Sequence, residues 1–181
     1  VGAGIGPIAT ALRQTASAAH GRLQSLSLAA NPALGDAGLA AIAAAIPPSL
    51  TELDVSEVGA GDEGMAALAR ALTLNALTLQ PMATLRKLAC SGAPLVGTVG
   101  SAALADALIA LCAAQLPCVT GTQQRQHPPP VLLSNHKDKV PPAGWLHLSV
   151  DRDTQRAITN AINDEVVRSA RGDQITAIYG A

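Results

Sequence analysis

Apolar residues along this chain keep two rhythms in turn, and the alternation repeats. Leu23-x-x-Leu26-x-Leu28 has the spacing of a short strand, whose last two leucines point to one side while the residues between them face the other. Leu34-Gly35-Asp36-Ala37-Gly38-Leu39 follows, then Ala-rich sequence with Ile42 and Ile46 four residues apart, the spacing of one helical face. The same order returns in Leu50-x-x-Leu53-x-Val55, in Ala60-Gly61-Asp62-Glu63-Gly64-Met65, and in Leu68 and Leu72. Glycine lets the chain turn without a Cβ clash, and Asp36 or Asp62 is expected to cap the helix that follows it.

A third block reads Leu85-x-x-Leu88-x-Cys90, Leu95, Gly97 and Gly100, then Leu104 and Leu108. Its connector is longer, and Leu74-x-x-Leu77-x-Leu79 also fits the strand template, so the third strand lies at 85–90 or at 74–79. The glycine turn and helix that follow favour 85–90. Gly4-Ile5-x-x-Ile8-Ala9-x-Ala11-Leu12 matches only the helical half of the unit, so the chain is read as opening in mid-repeat. Beyond residue 112 the pattern blurs, with Leu116-x-x-Val119 and Trp145-x-x-Leu148-x-Val150 as a fourth and a fifth strand. Starts at 23, 50, 85, 116 and 145 are 27, 35, 31 and 29 residues apart, bracketing the long end of the roughly 20 to 29 residues of one strand-and-helix repeat. No such unit closes a core alone, so stability must come from stacking.

These blocks resemble leucine-rich repeats of the ribonuclease-inhibitor type, over residues 1 to about 112. The resemblance implies an α/β solenoid, a horseshoe arc with parallel strands inside and helices outside. It also exposes a departure: Asn31 stands at the turn asparagine's place, but Val58 and Ala93 hold the corresponding positions, so irregular curvature is expected. Residues 1–116 are read as the repeats, the first one partial. Residues 117–142 carry Gln123, Gln124, Gln126, Pro128-Pro129-Pro130 and Pro141-Pro142, and are expected to form a long exposed loop with no helix or interior strand. Residues 143–181 are read as an irregular end cap, a strand followed by an amphipathic helix over residues 153–168. Its apolar face carries Ile158, Ile162 and Val166, an alternative partner-docking surface.

Composition narrows the partners. With no Phe, one Trp (Trp145) and one Tyr (Tyr179) in a chain that is 49% hydrophobic, the core must be Leu, Ile, Val and Ala, which suits close, regular layers. No apolar run reaches the length of about 20 residues that a membrane-spanning helix needs. Lys and Arg total 12 against 13 Asp and Glu, which leaves no electrostatic footprint for a polyanion, and the shortage of aromatics removes stacking platforms for bases. Nucleic acid is therefore discounted as a direct partner. Cys90, Cys112 and Cys118 form no disulfide framework and no Asn-x-Ser/Thr sequon occurs, which favours an intracellular, cytoplasmic or cytoskeletal setting. The first residue is Val, so targeting information is not represented and an organelle stays open.

Three constellations suggest chemistry and are set aside. Gly59-Ala60-Gly61-Asp62-Glu63-Gly64 satisfies a dinucleotide fingerprint literally, but Asp62 and Glu63 would put negative charge where a pyrophosphate must sit, and the preceding block repeats most of the pattern. His147, Ser149 and Asp151 alternate on one strand like a catalytic triad, yet residues two apart lie about 6.8 Å apart, beyond hydrogen-bond reach. They are read as a solvated face opposite Leu148 and Val150, and a hydrolase built on residues 145–153 is the weakest of the rival readings. Cys112, Cys118, His127 and His136 lack the close pairs of a zinc site, so Cys90 and Cys112 are read as buried structural thiols. No catalytic residue, cofactor, metal or small-molecule substrate is assigned.

The strands' remaining face carries the candidate site. Gln24, Ser25 and Ser27, then Thr51, Glu52 and Asp54, then Arg86, Lys87 and Ala89 point away from the leucines on the concave side, with Glu52 expected beside Arg86. Mixed charge there suits protein recognition, because charge complementarity selects partners. The reading is a non-enzymatic interaction or scaffold module, a subunit or fragment of a larger, cytoskeletal or flagellar-type assembly. The resemblance also implies a rival, a regulator of a small GTPase like the Ran GTPase-activating proteins, which use this repeat type.

Overall fold

The computed structural model describes residues 4–17, 23–77, 85–92, 97–114, 131–135, 146–169 and 178–180. In chain order these form α1 (Ile5–Ser17), β1 (Ser25–Ser27), α2 (Gly35–Ala43), β2 (Glu52–Asp54), α3 (Asp62–Leu77) and β3 (Lys87–Ala89). The chain continues through α4 (Thr98–Ala114), β4 (Val131–Ser134), β5 (Leu146–Ser149), α5 (Arg152–Ser169) and β6 (Ile178–Gly180). The protein is a mixed α/β structure around one open, parallel sheet.

The leucine motifs become neighbouring parallel strands in matching register: Leu26 stands opposite Leu53, and Leu53 opposite Leu88. Leu74 and Leu77 lie inside α3, so the third strand follows the 85–90 alternative. Each helix packs against the next from α1 to α5. Leu53, Leu88, Leu148 and Leu133 join Leu39, Leu68, Leu72, Leu104, Leu108 and Ile158 in one apolar cluster. A smaller cluster at the α1 end joins Ala9 and Leu12 to Ile42 and Ala45. No described helix is long and apolar enough to cross a membrane.

The turns repeat as regularly as the strands. Past the strand ends, Leu28 N donates to Asp54 O, Val55 N to Ala89 O, Cys90 N to Ser149 O and Val150 N to Ser134 O, at 2.8 to 2.9 Å. Two residues after Leu28, Val55 and Cys90, the backbone turns left-handed at Ala30 (φ 59°), Glu57 (φ 56°) and Gly92 (φ 69°). Only the last of these is glycine, the residue that adopts this conformation without steric cost.

Three sequence expectations are corrected here. Ile46 does not share the α2 face with Ile42: the helix ends at Ala43, and Ile46 is buried in the segment that follows. Pro47 explains this, because proline biases its predecessor away from helical backbone. Second, Asp36 and Asp62 cap a neighbour's helix. Asp36 Oδ1 accepts from Gly61 N (2.7 Å) and Gly64 N (2.8 Å) at the start of α3, and Asp62 Oδ1 accepts from Gly97 N (2.6 Å) and Gly100 N (2.8 Å) at the start of α4. The N-cap position of α2 is Leu34, with no side-chain cap. Each carboxylate thus ties one unit's helix to the next through two backbone N–H groups that a helix start leaves without intrahelical partners.

The third correction concerns residues 117–142. Within the expected loop, Val131–Ser134 form β4, with Leu132, Leu133 and Ser134 buried. The sheet order is β1-β2-β3-β5-β4-β6, so β5 rather than β4 follows β3, and β4 lies between β5 and β6. Val131-Leu132-Leu133 is a short apolar run without alternation, as in a strand covered on both faces. The adjacent prolines masked that signal. Leu116 and Val119, expected to begin a fourth strand, lie outside the described residues.

Candidate partner-binding face

Because the inward leucines are in register, the polar positions of β1 to β3 are in register too. Ser25 stands opposite Glu52 and Glu52 opposite Lys87, while Ser27, Asp54 and Ala89 form the next row. Glu52 therefore neighbours Lys87, not Arg86 as expected. Gln24, Thr51 and Arg86 line up at the strand entrances. There, Thr51 N and Glu52 N both donate to Gln24 O, and Arg86 N and Lys87 N both donate to Thr51 O. The predicted residues are brought together on three adjacent strands.

Exposure changes across the row. Gln24, Ser25, Ser27, Glu52 and Arg86 are exposed, and Thr51, Asp54 and Lys87 are half-buried. Several are already engaged. Ser25 Oγ reaches Glu52 Oε2 at 3.5 Å, Thr51 Oγ1 donates to Gln24 O at 2.8 Å, and Asp54 Oδ1 accepts from Ser56 N at 3.0 Å. Asp54 thus holds the turn after β2. At the next turn position, Glu57 is exposed.

Beyond β3 the face is closed. Ala89, expected outward, is buried, and all four residues of β5 are buried. His147 and Ser149 were expected to be solvated opposite Leu148; this is overturned, since both are fully buried. Ser134 Oγ and His147 Nε2 lie 2.8 Å apart, Ser149 Oγ lies 3.3 Å from Ser91 Oγ, and the Asp151 carboxylate accepts from Gly92 N at 2.9 and 3.1 Å. The three residues of the apparent triad thus engage three different groups. Ser134 and His147 have the separation of a nucleophile and its base, but solvent reaches neither. No periodicity distinguished these polar residues from a solvated row, because a buried serine or histidine with a partner has the same alternation as an exposed one.

No family model, curated protein or solved structure matches this chain. The residues themselves must carry the assignment.

The remaining candidates are placed as follows. Ile158 of α5 is fully buried in the main cluster, so the alternative docking face is turned into the core at that residue; the side chains of Ile162 and Val166 lie outside the described set. Cys90 is buried as expected. Burial, then the charges of Asp151 and Asp54, push its thiol up from 9.0 to about 12. Among the described residues no group of three or more His, Cys, Asp or Glu could hold a metal ion, and Cys118, His127 and His136 lie outside them. In the fingerprint-like segment, Gly59 (φ 66°) is pressed so closely against Pro32 O that a Cβ would overlap it, and Gly64 packs against Asp36. Asn31 Nδ2 donates to Leu28 O (2.8 Å) and Ala29 O (3.0 Å), stapling its own turn, whereas Val58 at the equivalent place is buried in the core. A groove of about 460 Å³ between α2 and α3 is lined by Ala40, Ala43, Ala67 and Ala71, with Arg70 also at its wall.

Proposed function

We propose that this chain is a non-enzymatic protein-binding module, a short leucine-rich-repeat-like solenoid whose uncovered sheet face over β1 and β2, bordered by β3, receives a protein partner within a larger assembly. The observation that carries the reading is the shared register of Leu26, Leu53 and Leu88, with Ser25, Glu52 and Lys87 in register beside them. A unit that buries its leucines against its own helix frees the opposite side chains from packing, and repetition lines them up on one surface. On that surface Glu52 stands opposite Lys87, with Asp54 one row further along β2 and Arg86 exposed at the entrance of β3. Such a charge pattern discriminates among partners more than it adds affinity.

The repeated turn ladder and the unit-to-unit capping by Asp36 and Asp62 support a solenoid over β1 to α4. The exchanged order of β5 and β4 favours ending it there, with the C-terminal strands as an end cap.

The test reverses two exposed charges, Glu52→Arg with Arg86→Glu, in a tagged chain used to capture partners identified by mass spectrometry. Circular dichroism checks that both proteins fold. A partner recovered by the wild type and lost by the reversed variant supports the reading, and undiminished recovery of every partner refutes a site on this face.

A further inference from the structure

We draw no further inference here: the strongest candidate, the open end of the core where Leu23, Leu26 and Leu28 around β1 are only half-buried and Ile8 of α1 is exposed, is an unpartnered apolar face, and nothing in the structure shows what covers it.

Discussion

Replacing Asp36 with alanine should destabilise the neighbouring unit more than its own. Two amides, Gly61 N and Gly64 N, lose a carboxylate acceptor at 2.7 and 2.8 Å, and both glycines are buried. Losing a helix N-cap costs about 0.5 to 2 kcal/mol. A bond to a charged group contributes about 1.5 to 3 kcal/mol, but water at a helix start replaces part of it, so the expected loss is about 2 kcal/mol. Both bonds end on the same oxygen, Oδ1, so Asp36→Asn can keep them and forfeits mainly the charge at the helix start, about 0.3 to 1 kcal/mol. Urea unfolding of the three proteins gives the ranking. Amide hydrogen exchange locates the effect: protection should fall at Gly61, just before α3, and at Gly64 within it, while Gly35 N and Gly38 N keep their bonds to Val58 O and Leu34 O. A Cβ on Gly64 would stand 2.7 Å from Asp36 Oδ1. Gly64→Ala should therefore cost less in the Asp36→Ala background than in the wild type, a coupling that a double-mutant cycle reads directly. Faster exchange confined to Gly35 and Gly38, or an alanine variant as stable as the wild type, would refute unit-to-unit capping.

Gly59→Ala should cost more than about 3 kcal/mol, since it combines a left-handed backbone with overlap onto the Pro32 carbonyl; Gly35→Ala, left-handed but with nothing near its Cβ, should cost only about 1 to 2 kcal/mol. Equal losses in chemical denaturation would discredit the close approach at Gly59. Ala30→Gly should stabilise the protein by about 0.5 kcal/mol, because relief of the left-handed strain exceeds the added freedom of the unfolded chain; a lower urea midpoint would contradict it. For Cys90 the folded pKa lies above the unfolded one. Its neutral form therefore contributes stability that is intact below about pH 9 and lost as pH rises toward 12, at a limiting slope of about 1.4 kcal/mol per pH unit. The stability difference between wild type and Cys90→Ala should shrink over that window, and a constant difference would show that the thiol ionises freely. Native-state alkylation at pH 8, mapped by mass spectrometry, should spare Cys90.

Legibility in the sequence followed the number of physical constraints acting on each residue. Leu53 and Leu88 sit buried on parallel strands, with Leu26 half-buried beside them, so spacing alone located these three strands. The helix starts were legible for the same reason, since glycine and aspartate recur there. Which helix each aspartate serves was not, because a cap is written identically whether the donor amides belong to its own turn or to a turn about 25 residues later along the chain. The contact was signalled only by Gly64 and Gly100, glycines inside helices where alanine would be preferred.

The candidate face was legible over β1 and β2 and misread beyond them, and the reason is one of coverage rather than pattern. Alternation says which side chains share a side of a strand; it does not say whether that side meets water. Ser27 and Ser149 occupy comparable places in their strands, yet one is exposed and the other fully buried. What separates them is cover over that side of the sheet. β5 lies beside β4, whose Leu132 and Ser134 are buried as well as Leu133, so both sides of the sheet are covered there, whereas β1 ends the sheet. A strand with both sides apolar announces that its neighbours are covered too, and Val131-Leu132-Leu133 carries that signal directly after three prolines. The open part of the face is thereby confined to the rows from Ser25 to Lys87 and from Ser27 to Asp54. A partner using it meets Glu52 in the Ser25 row and Arg86 exposed at the entrance of β3, one residue before Lys87, so reversing those two charges tests this part of the surface.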